Sequence, residues 1–321
     1  MKHIVCALLL GMASALGTVN AQTPAAPDVA PAPSAAPAVA GIQSQNIFQV
    51  KPDASTDPQY AEQTNGERGK VQPGKKIEVT AADGKKQVVE GRHIIIATGA
   101  RSRELPALKQ DGKKIIGYRD AMVLPEQPKS MVVVGSGAIG SEFAYFYAAL
   151  GTKVTLVEFL PNVVPVEDED VSKQLEKSFK KQGIDVMVSS EVTSVDTKGK
   201  GCVVTIKNAA GEKKVECDIV LSAVGIATNI EGIGLEEVGI VTDKGKVKVN
   251  EFYATNIPGY YAIGDIVPGP ALAHLASAEG ITCVEAIAGK NPHPIDYGNI
   301  PGCTYCNPEV ASVGITEKAA K

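Results

Sequence analysis

The sequence has no basic cluster. Its 32 lysines and arginines are outnumbered by 36 acidic residues, giving a formal net charge of −4, and a chain without a basic stripe has nothing with which to hold a phosphate backbone, so no nucleic acid partner is expected. No apolar run reaches the ~20 residues that a membrane-spanning helix needs. Six cysteines are present, but only Cys303 and Cys306 form a C-x-x-C, and no second pair exists to complete a zinc site. Cys303-Thr304-Tyr305-Cys306 reads as a strand, where positions three apart point to opposite faces. The pair is therefore expected to diverge and to be structural, and no metal site is predicted. Cys202, Cys217 and Cys283 fall in strand or helix patterns and read as small core residues.

What is present centres on residues 130–158. Met131 to Val134 form a short β-branched run that reads as a buried parallel strand. Gly135, Gly137 and Gly140 follow at G-x-G-x-x-G spacing, and Ala138 to Leu150 read as a helix stopped by Gly151. A second strand, Lys153 to Val157, ends in Glu158, about 20 residues beyond the glycines, as a dinucleotide fingerprint requires. The first glycine allows the turn, the second lets the backbone approach a pyrophosphate, and the third lets the helix close on the sheet. The helix N-terminus supplies N–H groups and a positive dipole end to the phosphates. Glu158 accepts from ribose hydroxyls and repels a 2′-phosphate. Phe159, Leu160 and Pro161 follow it without an arginine or lysine, so NAD is expected over NADP.

At 321 residues the chain has length for about two domains. Its start reads as a secretory signal over residues 1–21: Lys2 and His3, an apolar stretch from Ile4 to Leu16, and a Val19-Asn20-Ala21 cleavage site. Residues 22–64 are Ala/Pro-rich and then polar, a linker that cannot bury a core.

Beyond it the chain repeats itself. Lys76–Ala81 and Gln87–Glu90 read as a hairpin turning at Asp83-Gly84, followed by a buried strand, His93 to Gly99, that ends in glycine. The same order recurs as Cys202–Ile206, Glu212–Glu216 and Ile219–Val224, ending at Gly225, and implies two similar nucleotide-binding units. The second is complete, with a further helix from Glu169 to Gln182 carrying a Val171/Leu175/Phe179 stripe and capped by Asp168, Glu169 and Asp170. The first has no glycine between Gly41 and Gly66, so it lacks a phosphate-binding turn. Later, the segment Thr255 to Asp265 reads as carrying an apolar strand that ends at Gly264-Asp265, with a helix expected over Pro270–Ala288.

These motifs together resemble the flavin-dependent pyridine nucleotide-disulfide oxidoreductases, most closely the dihydrolipoamide dehydrogenase branch. The resemblance is carried by Ala97-Thr98-Gly99, by GSGAIGSE (Gly135 to Glu142), by TNIPGYYAIGD with its trailing Leu272-Ala273-His274, and by the segment from Ile300 to Gly314. It implies an α/β fold of two nested Rossmann-like domains: a complete NAD domain over 127–250, and an FAD domain over 65–126 and 251–296 that lacks its first βαβ unit. Residues 297–321 would begin a truncated dimerisation domain, the family being homodimeric.

The resemblance places NAD on Gly135, Ser136, Gly137, Ala138, Ile139, Gly140, Ser141 and Glu142, with Glu158 on the ribose and Val192 and Gly225 lining the cleft. It places FAD against Gly69, Thr98, Gly99, Ala100, Asp265, Ala271, Leu272, Ala273 and His274. The family's reaction carries electrons from dihydrolipoamide, borne on a partner protein, through a cysteine pair and FAD to NAD. Here no two cysteines have the family's C-x-x-x-x-C spacing, and its His–Glu acid/base pair is missing, so no residue is assigned as catalytic. The reading is a fragment of such a flavoenzyme, inactive alone; a non-catalytic NAD-binding protein or a chimeric gene product are the alternatives. The family is cytoplasmic, whereas the signal-like start points to a secreted or periplasmic chain.

Overall fold

A computed structural model of the chain describes residues 68–321. The signal-like and linker segments lie outside the described residues, as does the start of the region assigned to FAD. No helix of the described residues is long and apolar enough to cross a membrane.

The described chain opens with an antiparallel meander of β1 (Arg68–Gln72), β2 (Lys76–Thr80) and β3 (Lys86–Glu90). Next come β4 (Ile94–Ile96), β5 (Ala100–Ser102), β6 (Ile115–Ile116) and a one-turn helix α1 (Tyr118–Ala121). The fingerprint region forms β7 (Ser130–Val134), α2 (Ala138–Ala149) and β8 (Lys153–Val157), followed by α3 (Glu169–Lys181) and β9 (Asp185–Met187). A second meander, β10 (Glu191–Asp196), β11 (Cys202–Asn208) and β12 (Gly211–Cys217), leads into β13 (Ile219–Ser222). Then follow β14 (Ile226–Thr228), α4 (Leu235–Val238), β15 (Thr242–Asp243), β16 (Lys246–Val247), β17 (Tyr260–Ala262) and α5 (Ala273–Ile287). The chain closes with β18 (Gly302–Thr304), β19 (Val310–Ser312) and α6 (Glu317–Ala320).

The centre is a five-stranded sheet of order β6-β13-β7-β8-β9, with every pairing parallel. Strand alternation explains why β7 is apolar from Met131 to Val134. Met131 and Val133 pack with Ala144, Tyr147, Leu175 and Phe179 of α2 and α3 on one face. Val132 and Val134 pack with Cys202, Val204, Ile206 and Cys217 of the second meander on the other. A strand covered on both faces reads as a continuous hydrophobic run, and each such side chain contributes about 1.5–3 kcal/mol on burial.

A separate core gathers Val71, Ile77, Ile94, Ile96, Tyr260 and Ala262, with β4 and β17 paired in parallel. Ile233, Leu235, Ile240 and Val247 pack into this second core. The stretch after β14, expected in the NAD domain up to residue 250, thus shares its hydrophobic contacts with the other half.

Three local expectations change. On α3, Leu175 and Phe179 are fully buried, but Val171 is 37% exposed; the third buried position is Ser172, whose hydroxyl donates to Val164 O at 3.4 Å. Asp168 is the N-cap residue of α3 but makes no side-chain cap bond, and instead accepts from the backbone N–H of Glu317 at 2.8 Å. The strand carrying Cys303 ends at Thr304. Cys306 lies past its end, buried, with its thiol donating to Pro308 O at 3.2 Å.

Candidate functional site

The site lies at the carboxyl ends of β7, β8 and β13, the edge where parallel sheets bind ligands. Gly135 leaves β7 at φ +95°, and a Cβ there would collide with Ala223 O. A Cβ on Gly140 would drive into the carbonyl oxygen of Gly135, so this glycine lets α2 sit directly on the turn. Gly137, between them, has nothing within 4 Å of a Cβ; its open side is where a pyrophosphate would approach. It is also the N-cap residue of the 12-residue helix α2, which carries no side-chain cap, so the first-turn amides face that opening.

Glu158 closes the site in a way the spacing alone did not show. The side chain is buried, and its Oε2 accepts from Ser136 N at 2.7 Å and from Ser136 Oγ at 2.8 Å. Its Oε1 accepts from Leu160 N at 2.8 Å. Ser141 Oγ donates in turn to Ser136 O at 3.0 Å. The carboxylate is therefore oriented in advance, and each oxygen keeps acceptor capacity for a sugar hydroxyl. Ala138 and Ile139 form the first turn of α2.

Glu142, one turn further along α2, accepts from Tyr305 N at 2.8 Å. Burial pushes its carboxyl above the usual range, against the opposing effect of the Tyr305 N–H. Gly225 follows β13 at φ +103° and accepts from Arg103 N through its carbonyl at 3.0 Å. Val192 pairs with Ile206 at an irregularity in β10 and packs against the core behind the sheet.

The residues assigned to FAD are distributed differently. Thr98 is buried, and its hydroxyl donates to Asn229 O at 2.6 Å. Asn229 returns a bond to Thr98 O at 3.1 Å and donates its N–H to Gly99 O at 2.9 Å, while Arg101 donates to its Oδ1 at 2.9 Å. Ala100 continues into β5, opposite Thr228. Asn229 and Arg101 hold this strand end, and no sequence motif flagged either of them.

Gly69 lies within β1, opposite Val79 in the first meander. Asp265 sits in a 3₁₀ turn, Gly264–Ile266, and its carboxylate has no protein partner among the described residues. It does not cap α5, whose N-cap residue is Leu272. Its turn is anchored by Glu279, 1% exposed, which accepts from Gly264 N and from Tyr297 OH, each at 2.6 Å. Ala271, Leu272, Ala273 and His274 form the entry to α5, which starts at Ala273 rather than Pro270. His274 is exposed, with Nε2 3.0 Å from Pro301 O.

The donor set therefore fits one dinucleotide well and a second only in part. The β7–α2 turn has the glycine geometry, open amides and preset carboxylate that NAD requires. The flavin side has a free carboxylate at Asp265 and a strand end at Thr98–Gly99. It has no glycine-rich turn among the described residues, and the sequence before them supplies none.

Comparison with known proteins agrees with this geometry. A model of the family described as "Pyridine nucleotide-disulphide oxidoreductase" matches residues 16–280. A dihydrolipoyl dehydrogenase of Rhizobium etli is 48% identical over 233 residues, covering 72% of this chain and 48% of that protein. A leghemoglobin reductase of Glycine max is 43% identical over 256 residues, covering 79% and 49%. A crystal structure of LpdA from Mycobacterium tuberculosis superposes with a TM-score of 0.73 at 32% identity, covering 81% of this chain and 60% of that one. The chain spans about half the length of these curated relatives.

Proposed function

The chain belongs to the pyridine nucleotide-disulphide oxidoreductase family, and we propose that it is the nucleotide-handling part of a dihydrolipoyl dehydrogenase-type flavoprotein, binding NAD where α2 meets the parallel sheet. The observation that carries this reading is the Ser136–Glu158 clamp at the end of β8, beside the open cradle at Gly137. NAD, when bound, supplies a nicotinamide that accepts hydride. The chain's own residues do the binding: the α2 amides and dipole face the pyrophosphate, and the Glu158 carboxylate takes ribose hydroxyls. Family members use both FAD and a pyridine nucleotide; for this chain no step is assigned through the flavin, because no pyrophosphate turn for it is found among the described residues. The absence of a C-x-x-x-x-C pair from the sequence favours a second reading, a protein that binds NAD without catalysing electron transfer.

Thermal stabilisation by NAD and NADP tests the binding. A ligand at a hundredfold excess over its Kd stabilises by about 2.7 kcal/mol, and NAD is expected to do so at lower concentration than NADP. Glu158→Gln keeps an acceptor for Ser136 but removes the charge, and should narrow the difference between the two nucleotides. Equal stabilisation of the unaltered chain by both would defeat the assignment of Glu158.

The incomplete flavin side gives a second expectation. The purified chain should be colourless, with flavin well below one per chain by absorbance after denaturation. A yellow preparation with one flavin per chain would show that another segment supplies the pyrophosphate contacts.

A further inference from the structure

Cys202 begins β11 and Cys217 ends β12, and the antiparallel ladder sets them directly opposite one another. Opposed residues in such a ladder have Cα atoms about 4.5–5.5 Å apart, inside the range of roughly 4.4–6.8 Å that disulfides span. Both side chains enter the same core, with Val132 and Val220. Both are free. The Cys202 thiol donates weakly to Lys114 O and Asp218 O, at 3.7 and 3.8 Å.

We propose that Cys202 and Cys217 form a disulfide site, closed by a small-molecule disulfide and reopened by thiols. The Cys217 thiolate attacks one sulfur of the oxidant, giving a mixed disulfide and releasing one thiol. The Cys202 thiolate then attacks the Cys217 sulfur and releases the second thiol. Two cysteine thiols are oxidised to one disulfide, the oxidant is reduced to two thiols, and the two cysteine protons end on them.

Cys217 lines a cavity of about 300 Å³ together with Met131, Thr155 and Glu216, and Lys153 and Lys213 also line it. The lining carries both signs, with Asp185 pairing Lys213 at 3.5 Å, and a zwitterionic disulfide such as oxidised glutathione matches it. Burial pushes the Cys217 thiol up to about 12, so the closure is slow in the folded chain. The bond would lock the open end of the β11–β12 hairpin. That end is adjacent to Asp218, whose carboxylate accepts from Lys129 N and Ser130 N at 2.8 and 2.9 Å where β7 begins, so the closed form holds the layer behind the nucleotide sheet in place.

The test incubates the full chain with oxidised glutathione, alkylates the remaining thiols and maps peptides by mass spectrometry without reduction. The expected result is one linked peptide joining Cys202 to Cys217, lighter by two hydrogens and separated by dithiothreitol, with Cys283 alkylated. The oxidised chain should melt roughly 5 °C higher, a rise that Cys202→Ala abolishes. Recovery of Cys202 and Cys217 as separate alkylated or glutathionylated peptides overturns the proposal, as does linkage of either to another cysteine.

Discussion

Gly140→Val is expected to abolish NAD binding and to destabilise the chain by about 3 kcal/mol or more. The reason is steric and local. Any Cβ at this position runs into the carbonyl oxygen of Gly135 and reaches the Ala223 side chain. The first obstacle is backbone and cannot rotate away. To make room, α2 would have to retreat from the end of β7, which is fully packed on both faces, and close-packed interiors transmit such a shift rather than absorb it. The same movement displaces the α2 N-terminus from the phosphate position and loosens the Ser141–Ser136–Glu158 chain of bonds. In a chain of this size the loss corresponds to a fall in melting temperature of about 6–12 °C. Gly137→Ala is the matched control: its Cβ meets nothing within 4 Å, so folding should be nearly unchanged while NAD binding weakens. Equal melting losses in the two variants would show that the glycine spacing is not doing what the geometry says.

The second large effect is on turnover. The chain alone, with dihydrolipoamide, NAD and added FAD, is expected to form no NADH above the rate without protein. Transition-state stabilisation needs groups at the reacting sulfur, and the candidates are unsuited. Cys306 is buried, and its thiol is pushed up to about 12 by that burial, with Glu142, Cys303 and Glu309 adding to the rise. Burial also raises Cys303, and the nearby Glu309 and Glu142 add to it against a bond from Tyr305. Neither is a thiolate at neutral pH, so neither is a ready nucleophile. His274 sits on the surface beside Pro301 O and is not aimed at a thiol. A turnover of about 1 s⁻¹ or more, the low end for ordinary enzymes, would refute this expectation and make Cys303→Ser and Cys306→Ser the next variants.

Residues near one another in sequence were the most legible. The hairpin β2–β3 turns where Asp83-Gly84 predicts it, and β8 runs over Lys153–Val157 as read from its β-branched pattern. The strand β1 escaped notice because RGKVQ buries only Val71, leaving no alternation to see. On α3, the apolar stripe suggested Val171, but a serine took the inward position because its hydroxyl finds a carbonyl there. Periodicity ranks side chains by hydrophobicity and cannot anticipate a polar group that is satisfied on burial.

By itself the sequence determined the α/β class, the dinucleotide turn and the family, because each depends on local backbone demands: a glycine where a Cβ collides, an apolar run where both faces are covered, an acid at a strand's end. Only the tertiary structure decided which distant groups complete the site. Ser136 reaches Glu158, Tyr305 reaches Glu142, Asn229 ties down Thr98 and Gly99, and Glu279 anchors the turn before Asp265. It also set Cys202 opposite Cys217. These partners lie far apart along the chain, and a hydrogen bond depends on position in space to within a few tenths of an ångström, which residue type and spacing do not encode.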